Sequence, residues 1–160
     1  MRRVATPLQA VEPVEKELSR EDKAGPDSFR PADLTAPIVA RLDDDDWQVR
    51  AEAAAALGAS GVACAAPELL QSLYDSHWQV VKAAVTALGA LKAKAAEPHL
   101  VALLTSEASD LRRASAEALG QLGTVSARPA LELLLGDSDI EVRKAAWRAL
   151  VTLAAPAPPS

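Results

Sequence analysis

The sequence predicts an all-α fold, a solenoid of about four helical hairpins with a 31-residue period. Three observations carry this. Shifting the chain by 31 aligns Val49, Val80, Leu111 and Val142, and likewise Leu57, Leu88, Leu119 and Leu150. Its 49 % hydrophobic content is rich in alanine and holds only 3 % aromatics, the make-up of closely approaching helices. Glycine and proline recur at the same period, as Gly58, Gly89 and Gly120 and as Pro67, Pro98 and Pro129. Leu42, Leu73, Leu104 and Leu135 form another column, and Ala56, Ala87, Ala118 and Ala149 form one without exception. Independent columns sharing one period do not arise by chance.

Each unit reads as a short helix, a turn and a long helix. The short helices are expected at 33–42, 64–73, 95–104 and 126–135, and the long ones at 46–59, 77–91, 108–122 and 139–153. In the second unit Val80, Ala84, Ala87, Leu88 and Leu91 fall on one helical face. Asp75 or Ser76 is placed to cap that helix, and Gly89 to favour its termination. Pro98 falls in the first turn of the following short helix, where a missing N–H costs little. Leu100, Val101 and Leu104 make that helix's apolar face. One hairpin cannot bury both of its faces, so stacked neighbours must cover each other.

The repeat domain is expected over 31–153. Residues 1–30 hold six basic and six acidic residues with Pro7, Pro13 and Pro26, and read as a charged, flexible tail with room for a short helix near Val11–Ser19. A Pro-rich segment at 154–160 cannot continue a helix. The formal charge is −5, and residues 31–160 carry 11 basic against 16 acidic side chains, which argues against nucleic acid as a partner. One cysteine excludes an intrachain disulfide, and no apolar run follows Met1-Arg2-Arg3 or reaches spanning length. A cytoplasmic monomer without a membrane segment is expected.

The pattern Asp46-Trp47-Gln48-Val49-Arg50 through Ala53-Ala54-Ala55-Ala56-Leu57-Gly58 returns as Asp139-Ile140-Glu141-Val142-Arg143 through Ala149-Leu150. It resembles the HEAT-like repeats first named for phycobilisome lyases, a class also found in many bacterial proteins without pigment. The resemblance covers residues 33–153 and implies the fold. It says little of function, because the class spans scaffolds, lyase subunits and enzymes. It also implies that the long helices line a concave side whose non-packing columns make a binding surface.

Those columns begin at Trp47, Gln48, Ala51, Glu52, Ala55 and Ala59. The Glu52 column continues as Ala83, Ala114 and Ala145; other occupants are Trp78, Gln79, Lys82, Asp110, Arg113, Glu117, Lys144 and Arg148. Trp47 and Trp78, one repeat apart, are expected to line one groove as interface anchors, or else to lie over the hairpin turns. Trp147 replaces the small residue of the column Ala54, Val85, Ala116 and reads as a bulky cap on the last unit. In similar repeats an arginine in the column of Arg50, Arg112 and Arg143 reaches a turn aspartate of the same or the next unit. Asp44, Asp75 and Asp137 are the candidates for that structural ladder, and Val81 leaves one rung missing.

Catalytic patterns do not stand out. The Asp43–Asp46 run lacks the glycine and distal glutamate of a calcium loop and reads as a solvated turn. His77 and His99 are not followed by glutamate, unlike the pairs of the iron-dependent hydroxylases built on similar repeats, and no metal site or cofactor is expected. Cys64 reads as a small, partly buried residue. The leading expectation is a non-catalytic scaffold or adaptor that binds a protein or peptide on its concave face. An accessory subunit of a bilin lyase or cofactor-maturation system is the alternative, and an oxidoreductase or hydroxylase of this class a second one.

Overall fold

The structure, a computed structural model, describes residues 31–156, with side chains from Leu34 onward. The expectations for the segment 1–30 and for residues 157–160 lie outside these residues. Eight α-helices alternate short and long: α1 Pro31–Ala40, α2 Trp47–Ser60, α3 Ala66–Ser72, α4 Trp78–Ala90, α5 Glu97–Leu103, α6 Ser109–Leu122, α7 Arg128–Leu133 and α8 Ile140–Ala154. Among the described residues there is no strand. The chain is an all-α solenoid of four hairpins, and the long helices α2, α4, α6 and α8 pack in succession as one layer. The short helices α3, α5 and α7 pack against α4, α6 and α8 on the other side of that layer.

Packing follows the 31-residue columns. Leu57, Leu88 and Leu119 of the long helices and Leu69, Leu100 and Leu131 of the short ones are wholly buried. Each such leucine contributes about 1.5–3 kcal/mol relative to leaving it in water. Ala65, Ala96 and Ala127 close the 3₁₀ turns that lead into α3, α5 and α7, where Pro67, Pro98 and Pro129 occupy the first helical turn. In the last short segment Leu134 is buried, and Leu135, which continues the column of Leu42, Leu73 and Leu104, is exposed.

The glycine columns do two different jobs, and the expectation for Gly89 needs correcting. Gly58, Gly89 and Gly120 lie inside their helices, at the contact with the next long helix. A Cβ on Gly58 would stand 2.6 Å from the Ala87 Cα, one on Gly89 2.8 Å from the Ala118 Cβ, and one on Gly120 3.0 Å from Ala149. These glycines therefore set how closely the long helices approach. Termination belongs to the next glycine column, where Gly61 and Gly123 cap α2 and α6 in the left-handed conformation at φ 69° and 72°. The second repeat has Lys92 at this position, with φ 52°, a conformation that costs a side-chain-bearing residue about 1–2 kcal/mol.

Candidate functional site

The turn edge is the first of two polar regions. Asp46 and Asp139 cap α2 and α8, each accepting the backbone N–H two residues on at 2.8 Å. In α4 the N-cap is His77, without a side-chain cap, and Asp75 instead accepts the His77 N–H at 2.8 Å. Arg50 donates from Nε and Nη2 to Asp75 at 2.7 and 3.1 Å, and from Nη1 to the Asp44 and Asp45 carbonyls. Arg112 repeats this on Asp137 at 2.8 and 2.9 Å and on the Ser106 and Glu107 carbonyls. Each rung thus ties a long helix to the turn of the next hairpin. The Arg50 fork holds the Asp75 carboxyl below its ordinary value, with further lowering from the His77 N–H, and Arg112 acts likewise on Asp137.

The missing rung is missing at both ends. Val81 stands where the arginine would be and is buried, and Ser106 stands where the aspartate would be. Sequence reasoning found Val81 alone; the 25-residue spacing of the rungs identifies Ser106 as its partner. Arg143 and Asp44 differ from the ladder expected for them. Arg143 donates only to the Asp137 and Ser138 carbonyls, and Asp44 accepts the Asp46 N–H, with no ion pair for either side chain among the described residues. A cleft of about 530 Å³ lies at this edge, lined by Asp43, Asp44, Asp45, Glu68, Asp75 and Arg50 among others; Arg50 and Asp75 are occupied with each other.

The second region is the side of the long-helix layer turned away from the short helices. Between α2 and α4 runs a trough of about 480 Å³, lined by Ala55, Gly58, Ala59, Gln79, Lys82, Ala83, Thr86, Ala87 and Ala90. Close approach at Gly58 brings the helices together, and alanines along both rims leave the trough open. The same columns form a smaller depression, about 270 Å³, between α6 and α8, lined by Glu117, Gly120, Gln121, Ala145, Arg148, Ala149 and Thr152. Between them Lys82 bridges to Asp110 at 3.2 Å, and Asp110 also accepts from Arg113 at 3.1 Å. Lys144 pairs with Glu141 at 2.8 Å, which lowers the Glu141 carboxyl.

The two tryptophans fall in different places. Trp47 is half-buried and stacks on His77 with centroids 5.7 Å apart and planes 9° apart, across the junction of the first two hairpins. His77 Nδ1 in turn lies 3.4 Å from Arg50 Nη2, so Trp47 belongs to the turn edge. Trp78 is 43 % exposed, and the Lys82 ammonium lies 5.7 Å from its ring centroid. Neither indole lines the trough; Lys82 lines it and places its ammonium over the Trp78 ring. Gln48 and Glu52 are exposed, but Glu52 lines a separate groove with Pro37 and Ile38, and its column is buried farther along at Ala114 and Ala145. That column faces the preceding long helix: it packs at Ala114 and Ala145, and at the half-buried Ala83 it lines the trough. Cys64, expected to be partly buried, is exposed, because it sits on the 3₁₀ turn next to the buried Ala65. Trp147 is 62 % exposed, so it does not seal the last hairpin as a cap.

Among the described residues no group of three or more His, Cys, Asp and Glu side chains is placed to hold a metal ion, and no helix is long and apolar enough to cross a membrane. His99 carries a buried Nδ1 without a partner, under the edge of the exposed Tyr74 ring.

Comparison with solved structures finds the same architecture elsewhere. The chain is similar to a chain in the complex of CpcE and CpcF of phycocyanin lyase from Nostoc sp. PCC7120, at 29 % identity and a TM-score of 0.70, covering 77 % of this chain and 53 % of that one. It is also similar to human deoxyhypusine hydroxylase, at 28 % identity and a TM-score of 0.63, covering 74 % of this chain and 43 % of that one. An engineered protein matches at 29 % identity and a TM-score of 0.61, over 75 % of this chain and 62 % of that one. The chain thus spans about half the length of the lyase chain it matches. Comparison with curated proteins returned no match. A family model described as HEAT repeats matches residues 35–119 and 98–159, and with the columns, the hairpins and the stacking described above, the chain belongs to the HEAT-repeat family.

Proposed function

We propose that this chain is a non-catalytic binding module that takes a protein or peptide on the outer face of its long-helix layer, over the trough between α2 and α4. The observation that carries this is the trough itself. It is walled by alanines, and Lys82 joins it to an exposed tryptophan. An apolar depression beside an amphipathic aromatic anchor suits an apolar side chain on a partner, with Trp78 and Lys82 holding the polar rim. Gln79, Asp110 and Arg113 extend that rim, and Glu117, Lys144 and Arg148 continue it along the face.

The test is to isolate the partner by affinity capture and titrate it calorimetrically. Trp78→Ala keeps the melting temperature and weakens binding by about 2 kcal/mol, roughly 30-fold. Ala55→Glu with Ala59→Gln gives the α2 rim of the first trough the residues that α6 carries at the last one, and abolishes the contact. Unchanged affinity in both variants sinks the proposal.

A second reading rests on the likeness to the lyase chain: a subunit of a two-protein assembly that handles a bilin. New visible absorbance on mixing the purified chain with a bilin supports that reading, and an unchanged bilin spectrum rejects it. The hydroxylase reading draws support from the fold likeness alone, since the described residues offer no ligand set.

A further inference from the structure

The arginine–aspartate ladder leaves one end of each kind open. Each rung runs from a long helix to the turn 25 residues on. Arg143 grips its own turn through Nη1 at 2.6 and 3.1 Å, as Arg50 and Arg112 grip theirs, but no carboxylate among the described residues meets its Nε and Nη2. Asp44 makes the same turn as Asp75 and Asp137, its Oδ1 accepting the Asp46 N–H at 2.9 Å, and no guanidinium among the described residues meets its carboxylate.

Beside each open end lies surface that is covered everywhere else in the array. The column of Ala54, Val85 and Ala116, wholly buried, ends in Trp147 at 62 % exposure, and the close-approach glycine column ends in Val151 at 51 %. At the other end Ala56 is exposed, whereas Ala87, Ala118 and Ala149 of its column are buried against the preceding glycine. Ala56 lines a groove of about 290 Å³ with Pro37, Ile38, Val49, Glu52 and Ala53.

We propose that these two faces are halves of one contact, and that copies of this chain associate head to tail. The Arg143 fork of one copy takes the Asp44 carboxylate of the next, and Trp147 and Val151 seat in the groove at α1 and α2. The occupant is a second copy because the unfilled donor and the unfilled acceptor belong to the same ladder and supply each other's missing partner. The contact does not copy an internal junction. Val151 stands where the internal junctions have glycine, on which even a Cβ would come within 2.6–3.0 Å of the next helix, so the long helices remain farther apart and the association is weak. Such a contact joins unlike faces, so each pair it forms still presents one free face of each kind to further copies. It uses none of the residues of the trough between α2 and α4.

Sedimentation equilibrium of the full chain in low salt, from about 10 µM to about 1 mM, tests this. The average mass rises with concentration and passes that of a dimer. Trp147→Ser and Asp44→Asn, changes at an exposed site and a turn that keeps its acceptor, each weaken association at least about tenfold. Each variant keeps one intact face, so their equimolar mixture recovers association and forms pairs only. One chain's mass at every concentration overturns the proposal, and so does a dimer that Asp44→Asn leaves unchanged.

Discussion

The trough between α2 and α4 and its counterpart between α6 and α8 are built on the same columns, yet they offer different chemistry. Both have a glycine floor that meets an alanine of the next helix, Gly58 on Ala87 and Gly120 on Ala149. Along the first the rims are Ala55, Ala59, Thr86 and Ala90; along the last the same positions are Glu117, Gln121, Arg148 and Thr152. The backbone that makes a depression is therefore common property of the repeat, and the side chains at two columns, that of Ala55, Thr86, Glu117 and Arg148 and that of Ala59, Ala90, Gln121 and Thr152, decide whether it is apolar or charged. The glycine floor and the rim side chains occupy separate columns, so packing and the character of the trough can be perturbed separately.

The largest effect is expected at the floors. Gly58→Val drives a branched side chain into the backbone of Ala87 and costs about 3 kcal/mol in urea unfolding. Gly120→Val costs less, because its Cβ starts from 3.0 Å rather than 2.6 Å. Equal costs at both sites contradict the claim that the first junction is the tighter one.

The turn edge comes next. Arg112→Gln leaves Asp137 with 8 % of its side chain exposed and no cation on it, and is expected to cost about 2 kcal/mol. Acidification sharpens this. Asp75 and Asp137 have lowered values in the folded chain, so the rungs contribute fully above the ordinary carboxylate value, and that contribution is lost as pH falls through the lowered ones. The Arg112→Gln variant loses less stability than the parent chain over the same acid range, in denaturant titrations from about pH 5 to about pH 2. Parallel losses in both proteins mean that the rung does not lower Asp137.

A smaller gain is expected at the cap between the two troughs. Lys92→Gly removes the left-handed strain that Gly61 and Gly123 avoid, and raises stability by about 0.5–1 kcal/mol by thermal or chemical unfolding. A loss instead means that the lysine side chain makes a contact worth more than the strain.

The fold was legible in the sequence because each packing column repeats. Long-helix boundaries fall within a residue or two of those expected, since Asp46 and Asp139 cap where the period places them. The Gly89 column was misread from sequence because a buried glycine for close approach and a glycine for termination look alike until the neighbouring helix is in place. The site was only partly legible. Trp47 and Trp78 share a column, but His77 follows the first across a junction and stacks on it, and Lys82 covers the second. Two side chains with one address in the repeat thus acquire different roles from their neighbours in the adjacent unit. Ala55, Ala59, Gln79 and Lys82 are among the free columns legible in the sequence, but the groove is expected there to hold the two tryptophans, and its actual walls are alanines, which carry no chemical signal in a sequence already rich in them.

The most direct test of the central claim is the titration of the captured partner against Ala55→Glu with Ala59→Gln, alongside an unfolding curve of the same variant. Both positions are exposed, so stability stays within about 0.5 kcal/mol of the parent. Binding should fall below detection while the fold is intact. A variant that folds and binds its partner with the parent affinity contradicts the account.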